Sequence, residues 1–515
     1  MALAGVMIKA LLTRLRWPEL LGIFGLLGLA VWLRWPYLGE SLWLDELHTA
    51  WVVGGAWNQL IPRAHAGNTG PLFFLLTRLV TDVFGNGELS LRYISLASGL
   101  IIVVASFLVM CAWGGRVVLP FLGAFLVAID PNHIYFSLEA RSYALVQLLG
   151  LIQVIVFWQL LQRPSIRWRM SWILLSVALY NLHYTAGWIV IANIVTWIVL
   201  ADARQRYAAG QFGLDLGLMV IANAATLPHL AAVAEQRHLW SVFVSAGSPV
   251  RIVTLFPATE LVAIALAGLA AAWMTGLVPD AGRKTTSDKR ELVTYLACCL
   301  LVPVVGAWLL TKFELVPLFH RRYLMVTATT PYLLFVVLTA ICPSPRWRLV
   351  VMLVGVGLAI SQNPLIRSHL RTSVEVAPRS REDWRGVVQL INQSAEYAQL
   401  PVMVRSGLIE ADRLASDESH FFRQYCSFPL RSIYQVADTH GDPIPLANLT
   451  TIAISEEDRD RIRRSRGAWL VFRGPPHEAE RLISNMQVDL KMESLNPRVA
   501  ERREFGRLIL IRWAF

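Results

Sequence analysis

The sequence predicts an all-α polytopic membrane domain of about eleven transmembrane helices, followed by a small extracytoplasmic α/β domain. Three observations predict it. Of the 515 residues, 55% are hydrophobic and only 16% charged, and mean hydropathy is positive, which no ordinary soluble chain shows. The apolar residues fall in blocks separated by short basic loops, the signature of repeated bilayer crossings. From about residue 364 the composition turns polar, and short apolar runs alternate with helical patterns.

The first apolar run, 19–38, follows Lys9, Arg14 and Arg16. It is too long for a signal core and lacks a small-residue cleavage pattern, so it reads as an uncleaved first span. A long external loop, 39–90, comes next and carries two interfacial amphipathic helices. One of them, "PLFFLLTRLVTDVFG" at 71–85, is apolar enough to be taken for a span. Counting it would place Arg116 outside, so it is read as lying in the outer interface. The remaining spans are 91–112, 117–132, 143–162, 170–184, 186–201, 212–233, 258–278, 291–311, 322–342 and 347–363.

With the N-terminus cytoplasmic, the inside loops hold Arg116; Arg163, Arg167 and Arg169; Arg204 and Arg206; Arg283, Lys284, Lys289 and Arg290; and Arg346 and Arg348. Every inside loop is then basic, as the positive-inside rule requires. An odd number of spans puts the C-terminal domain outside. The domains are therefore 1–363, membrane-embedded and catalytic, and 364–515, extracytoplasmic. In the second, "LPVMVRSG", "SIYQVAD", "GAWLVFRG" and "RLILIRWAF" alternate with the helical patterns "EDWRGVVQLINQSAEY" and "EAERLISNM".

The net charge of +11 does not point to nucleic acid, because the arginines sit in inter-span loops with no basic-aromatic motif. Cys111, Cys298, Cys299, Cys342 and Cys426 form no disulfide framework and no zinc spacing.

The polar residues that resist a topological explanation gather on the outer face. In "SLWLDELHTAWVV", 41–53, Asp45 and Glu46 stand among large apolar residues. A helix N-terminus attracts acids to its positive dipole. Partial desolvation, however, also makes a carboxylate a better proton acceptor near neutrality. His48 follows three residues later on the same helical face, placed to orient Asp45 or help hold a metal. "HAGNTGPLFFLL", 65–76, is a turn feeding a helix. Glu88 and Arg92 stand at helical spacing at a membrane entry, where an acid beside a snorkelling arginine is the simpler reading.

"DPNHIYFSLEARSYALVQLL", 130–149, crowds Asp130, His133, Glu139 and Arg141 into one external loop. Glu139 has two readings, an ion pair with Arg141 or a ligand for acceptor or metal. "LYNLHYTAGW", 179–188, brings His183 and Tyr184, the tyrosine fitting an interfacial belt. "KFELVPLFHRRYLMV", 312–326, places Lys312, His320, Arg321, Arg322 and Tyr323 outside, where positive-inside statistics disfavour them. Guanidinium groups there suit a phosphate, through forked hydrogen bonds.

Together these parts suit a polyprenyl-phosphate sugar. Its tail needs a bilayer, its phosphate needs arginine, and its anomeric carbon needs a hydroxyl deprotonated from the opposite face, which inverts the centre. Asp45 is the expected base, with Glu46 and Glu139 as further catalytic candidates. Arg321, Arg322, Arg141 and His183 are expected at the donor phosphate, and His48, Tyr184, Tyr323 and Arg92 elsewhere in the substrate site. The competing reading is a transporter or flippase of lipid-linked sugars, which calls for mid-membrane charges and broken helices. A third is a membrane-anchored assembly protein.

"WLDE", "GPLFFLL", "GELSLRYIS", "FSLEARSYAL", "LHYT" and "RRY" occur in that order over residues 40–325. In this the chain resembles the GT-C glycosyltransferases, in the branch of the protein O-mannosyltransferases and the lipid A aminoarabinose transferase (glycosyltransferase family 39-like). The resemblance implies a bacterial inner-membrane enzyme, Asp45 as base, a lipid-phosphate sugar donor and the interfacial placement of 71–85. The acceptor would be a cell-envelope lipid, glycan or protein, and mannose or another hexose the sugar. Two departures stand out. Where relatives often carry Pro-Pro or Lys-Pro-Pro, this chain has Thr69, Gly70 and Pro71, so a lysine contact to phosphate is missing. Some relatives carry an acid where Tyr143 sits, which leaves a second-acid role for Glu139 open. No cofactor is demanded. A divalent metal stays open, with Asp45, His48 and Glu139 as weak candidate ligands.

Overall fold

A computed structural model of the chain describes residues 17–115, 118–237, 244–274, 283–363, 366, 382–415, 419–448, 454–465, 467–489 and 498–514. Lys9, Arg14, Arg16 and Arg116, on which the topology reading leans, lie outside the described residues, as does most of the segment where the composition turns polar.

Helices stand at every expected span, but they are not eleven long rods. Trp17–Tyr37, Glu88–Gly114, Tyr143–Gln162 and Asp288–Lys312 are each long and apolar enough to cross a bilayer. Three more candidates qualify only as bent pairs. Val118–Ile129 with Pro131–Ser137 bends by 57°, Ala209–Ala222 with Ala224–Glu235 by 44°, and Arg321–Thr327 with Thr330–Ile341 by 47°. Ile166–Leu182, Trp188–Val199, Pro257–Met274 and Pro345–Gln362 are shorter or less apolar. Length and composition thus support four to seven crossings among the described residues, fewer than the expected eleven.

The bends have local causes. Pro131 opens the second helix of the first pair, and Asp130 caps it by accepting from the His133 N–H at 2.7 Å. Pro331 stands in the first turn of Thr330–Ile341. The helix Leu72–Phe84 has 13 residues, about 20 Å of rise, which is short of the ~30 Å apolar core of a bilayer.

The described chain divides into two compact units. One comprises Met1–Pro36, Asn68–Phe73 and Ile94–Val376; the other Tyr37–Gly67, Phe74–Tyr93 and Ala377–Phe515. This is not the linear division at residue 363, because most of residues 37–93 fold with the C-terminal residues.

In the first unit, Ile23, Phe107, Leu108 and Ala124 form one apolar contact, with Phe107 and Phe121 rings 4.5 Å apart. Arg34 is fully buried. It donates to Ser137 Oγ at 2.7 Å and to the Ala30 carbonyl at 2.9 Å, which satisfies an otherwise costly charge.

In the second unit five strands make a mixed sheet of order β2-β1-β3-β5-β4. They are β1 Val402–Arg405, β2 Ile444–Pro445, β3 Gly467–Arg473, β4 Arg498–Phe505 and β5 Leu508–Ala514. β1 runs parallel to β2 and β3, while β5 is antiparallel to β3 and β4. β3 and β5 carry the core, where Leu470, Phe472, Ile509, Ile511 and Trp513 pack with Ile462, Leu482 and Met486 from the helices Glu456–Arg464 and Pro476–Asp489. "SIYQVAD" makes only an isolated bridge, Arg431 to Gln435, and the short β2 takes the edge of the sheet. The other edge, β4, is an exposed and charged strand, which resists edge-to-edge pairing.

Candidate functional site

In the second unit the helix Leu44–Gly54 carries the adjacent carboxylates, and its fold separates them. Glu46 is fully buried. Arg92, also fully buried, donates to both its oxygens, Nε to Oε1 at 2.8 Å and Nη2 to Oε2 at 2.7 Å. Arg92 Nη1 also donates to the carbonyls of Leu38 and Glu40, each at 2.9 Å. Glu46 Oε2 further accepts from Trp43 N at 3.4 Å, which closes the helix N-terminus. The sequence set Arg92 beside Glu88, but Glu88 instead faces Arg385 at 3.1 Å and accepts from the Tyr434 hydroxyl at 3.0 Å. Asp45, one residue earlier, sits in the first turn and stays half-buried.

The turn before Asp45 is held by residues far along the chain. Glu382 accepts from Leu44 N at 3.1 Å and from Trp384 Nε1 at 3.1 Å, and Arg473 donates to its other oxygen at 2.8 Å. Leu42 N donates to the Tyr434 hydroxyl at 3.0 Å, and Arg385 N to Ser41 Oγ at 3.2 Å. Burial pushes the Tyr434 hydroxyl up to about 12, so it stays protonated.

His48 has the environment of an enclosed ring. Trp51, Phe74, Tyr425 and Phe428 surround it at centroid distances of 5.6 to 6.0 Å, and its Nε2 lies 3.2 Å from the Arg63 carbonyl. A Cβ on Gly67 would overlap the imidazole, so glycine there lets the ring seat. Glu410 is 9% exposed, accepts a hydrogen bond from Tyr425, and lies within electrostatic reach of Asp45 and Arg413. Burial is the main cause that raises its carboxyl above the usual range.

The first unit gathers a second set. The His183 ring lies 5.9 Å from Tyr143 and 6.0 Å from Tyr323, with Arg141 close enough to act on its charge. Thr185 ties the group together. Its hydroxyl donates to the Tyr323 carbonyl at 2.7 Å and lies 2.8 Å from His183 Nδ1. Arg321 donates to Asn132 Oδ1 at 3.1 Å. Arg322 N donates to His320 Nδ1 at 3.2 Å, which caps the turn Arg321–Thr327. Burial, then the charges of Arg322, Arg321 and Arg251, holds His320 down at about 4, so the imidazole is neutral and able to accept.

Glu139 is fully buried in the turn after Pro131–Ser137, where its carbonyl accepts from Arg141 N at 2.7 Å. Ser95 Oγ donates to the Arg141 carbonyl at 2.9 Å. Tyr184 turns to another partner, its hydroxyl 2.6 Å from His229 Nδ1. Asp130 accepts from Tyr332 at 2.6 Å, and His133 Nδ1 lies 3.0 Å from Gln147 Oε1. Among the described residues no three His, Cys, Asp or Glu side chains come together as a metal-ligand set.

Sequence reasoning missed Glu382, Glu410, Tyr425, Phe428 and Tyr434 in the second unit, and Asn132, Thr185 and Arg251 in the first. Each is ordinary in its local context and gains meaning only through a partner tens or hundreds of positions away.

The fold is thus of a defined class, a mostly helical chain with several apolar spans and a C-terminal mixed α/β sheet. No protein-family model and no curated protein matches the chain. Among solved structures it is similar to ArnT from Cupriavidus metallidurans. For the apo state the identity is 12% and the TM-score 0.41, over 96% of this chain and 97% of that one. For ArnT bound to undecaprenyl phosphate they are 12% and 0.43, over the same shares.

Proposed function

We propose that the chain is an integral-membrane inverting glycosyltransferase. It moves a sugar from a polyprenyl phosphate to a hydroxyl of a cell-envelope lipid, glycan or protein on the outer face of the membrane. The acceptor oxygen attacks the anomeric carbon, and its proton passes to Asp45. The bond from that carbon to the phosphate oxygen breaks, and its electrons leave with the phosphate. Arg321 and Arg322 bind the phosphate and stabilise the charge that develops on it. Arg141 and His183 line the donor site, and Glu139 stands as a second acid. In this reading the N-terminus is cytoplasmic and the C-terminal residues are extracytoplasmic.

One observation carries the reading. Of two adjacent acids, Glu46 is fully buried and bound by Arg92, while Asp45, in the first turn of the same helix, is only half-buried and so is the one a substrate can reach. The arginines around a neutral His320 are supporting features, because a fixed cationic turn suits a phosphate.

The test is Asp45→Asn in membranes supplied with radiolabelled polyprenyl-phosphate sugar. Transfer is expected to fall by about two to four orders of magnitude, and transfer at the wild-type rate rejects the assignment. A second reading, a flippase, is favoured by the three bent helix pairs. Movement of labelled lipid across sealed vesicles, with no glycosidic product from any donor, would establish it.

A further inference from the structure

In the first unit two of the bent helix pairs are joined at their breaks. Asp130, between Val118–Ile129 and Pro131–Ser137, accepts from the Tyr332 hydroxyl at 2.6 Å, and Tyr332 stands in the first turn of Thr330–Ile341, just after the second break. Gln147 of the helix Tyr143–Gln162 bridges the same two pairs. Its Oε1 lies 3.0 Å from His133 Nδ1, and its Nε2 donates to Met325 Sδ at 3.0 Å. A Cβ on Gly150 would overlap the Val326 carbonyl, so this helix lies against the backbone of the turn Arg321–Thr327. The third link is Asn132. It is buried on the helix Pro131–Ser137, and its Oδ1 accepts from Arg321 Nη1 at 3.1 Å. Arg321 itself is exposed, and among the described residues this is the one hydrogen bond of its guanidinium.

We propose that Asn132 is a positioning residue that holds the Arg321 guanidinium in the orientation that takes the donor phosphate. The proposal rests on the reading of Arg321 as a phosphate ligand. An exposed arginine samples many rotamers, and the freedom it gives up on binding weakens the complex. An acceptor anchored in a buried network fixes Nη1 and with it the guanidinium plane. The other edge, Nε with Nη2, then faces a phosphate ready to form two parallel hydrogen bonds. A neutral amide does this without cancelling the charge. A carboxylate would compete for the guanidinium, and in this chain Glu46 takes that very edge of Arg92. Asp130 and His133, which the sequence reading gathered with the outer-face acids, serve as the frame for the contact. The first caps the helix that carries Asn132, and the second ties it to Gln147.

Binding of decaprenyl phosphate to the full chain in nanodiscs tests the role without turnover, with decaprenol as the neutral control. Asn132→Ala is expected to weaken phosphate binding about tenfold and to leave decaprenol binding within about twofold of wild type. Asn132→Leu, which keeps the side-chain volume, takes its place where the alanine variant does not fold. Arg321→Ala is expected to weaken phosphate binding at least as much. In the double variant the loss is expected to match that of Arg321→Ala alone, because nothing is left to position.

Three results overturn the proposal while leaving Arg321 at the phosphate: losses that multiply in the double variant, equal losses for decaprenol, or unchanged phosphate binding in the Asn132 variant. Wild-type phosphate binding in Arg321→Ala overturns the phosphate reading itself, and the positioning role falls with it. The outcome of Asp45→Asn moves neither result, because no sugar is transferred in this assay.

Discussion

Adjacent acids with opposite fates make the most direct prediction at the scale of the residue. Glu46 and Arg92 are both wholly buried and exchange two hydrogen bonds. Removing either partner leaves the other charge buried and uncompensated, at a cost of about 3–5 kcal/mol. Glu46→Ala and Arg92→Ala are therefore expected to lower the unfolding temperature in detergent sharply. Melting temperatures at the wild-type value in both variants would show that the pair does not hold this helix. Sequence could not have told the two acids apart, because "DE" gives both residues the same chemistry, and only the direction of each side chain separates them.

At the scale of the element, two backbone sites can be tested. A Cβ at Gly70 would drive into the carbonyl of Asn181, and backbone cannot yield as a flexible side chain does. Gly70→Ala is expected to cost about 1–3 kcal/mol, read as a lower denaturation midpoint. This gives a physical reason for the glycine in the turn that the sequence reading placed at 65–76. Glu382 accepts from three donors, including Leu44 N next to Asp45. Glu382→Ala leaves buried donors unsatisfied, about 1–3 kcal/mol for the group. Hydrogen exchange at the Leu44 amide is expected to accelerate, and an unchanged rate would show that the turn is held by other contacts. The helices were legible here because their apolar blocks are long. β4 was not, because a charged edge strand has no apolar alternation to detect. The sequence was read as unbroken spans over 117–132 and 322–342, and the breaks at Asp130-Pro131 and ahead of Pro331 appear only in the structure.

At the scale of the whole molecule, the two units should respond to pH in opposite senses. His320 in the first unit is held at about 4, below the ordinary 6.5. Its contribution to stability is present above about 6.5 and is lost as pH falls toward 4, because the unfolded state binds the proton first. Glu410 in the second unit is raised above 4.5. Its contribution is present below 4.5 and is lost as pH rises through the folded value. Limited proteolysis across this range is expected to open first-unit sites on the acid side. His320→Gln should flatten that dependence and Glu410→Gln the opposite trend in the second unit. If neither variant changes its unit's profile, these groups do not control it.

Composition and apolar block length alone determined that the chain is a helical membrane protein with a polar α/β tail, because burial in lipid demands long apolar stretches and leaves a statistical trace. Tertiary structure alone decided that Glu46 belongs to Arg92, that most of residues 37–93 fold with the C-terminal residues, and that Tyr425 and Phe428 stand against His48 and Trp51. Those outcomes depend on contacts between residues distant in the chain, and a single sequence carries no local periodicity from which such contacts can be read.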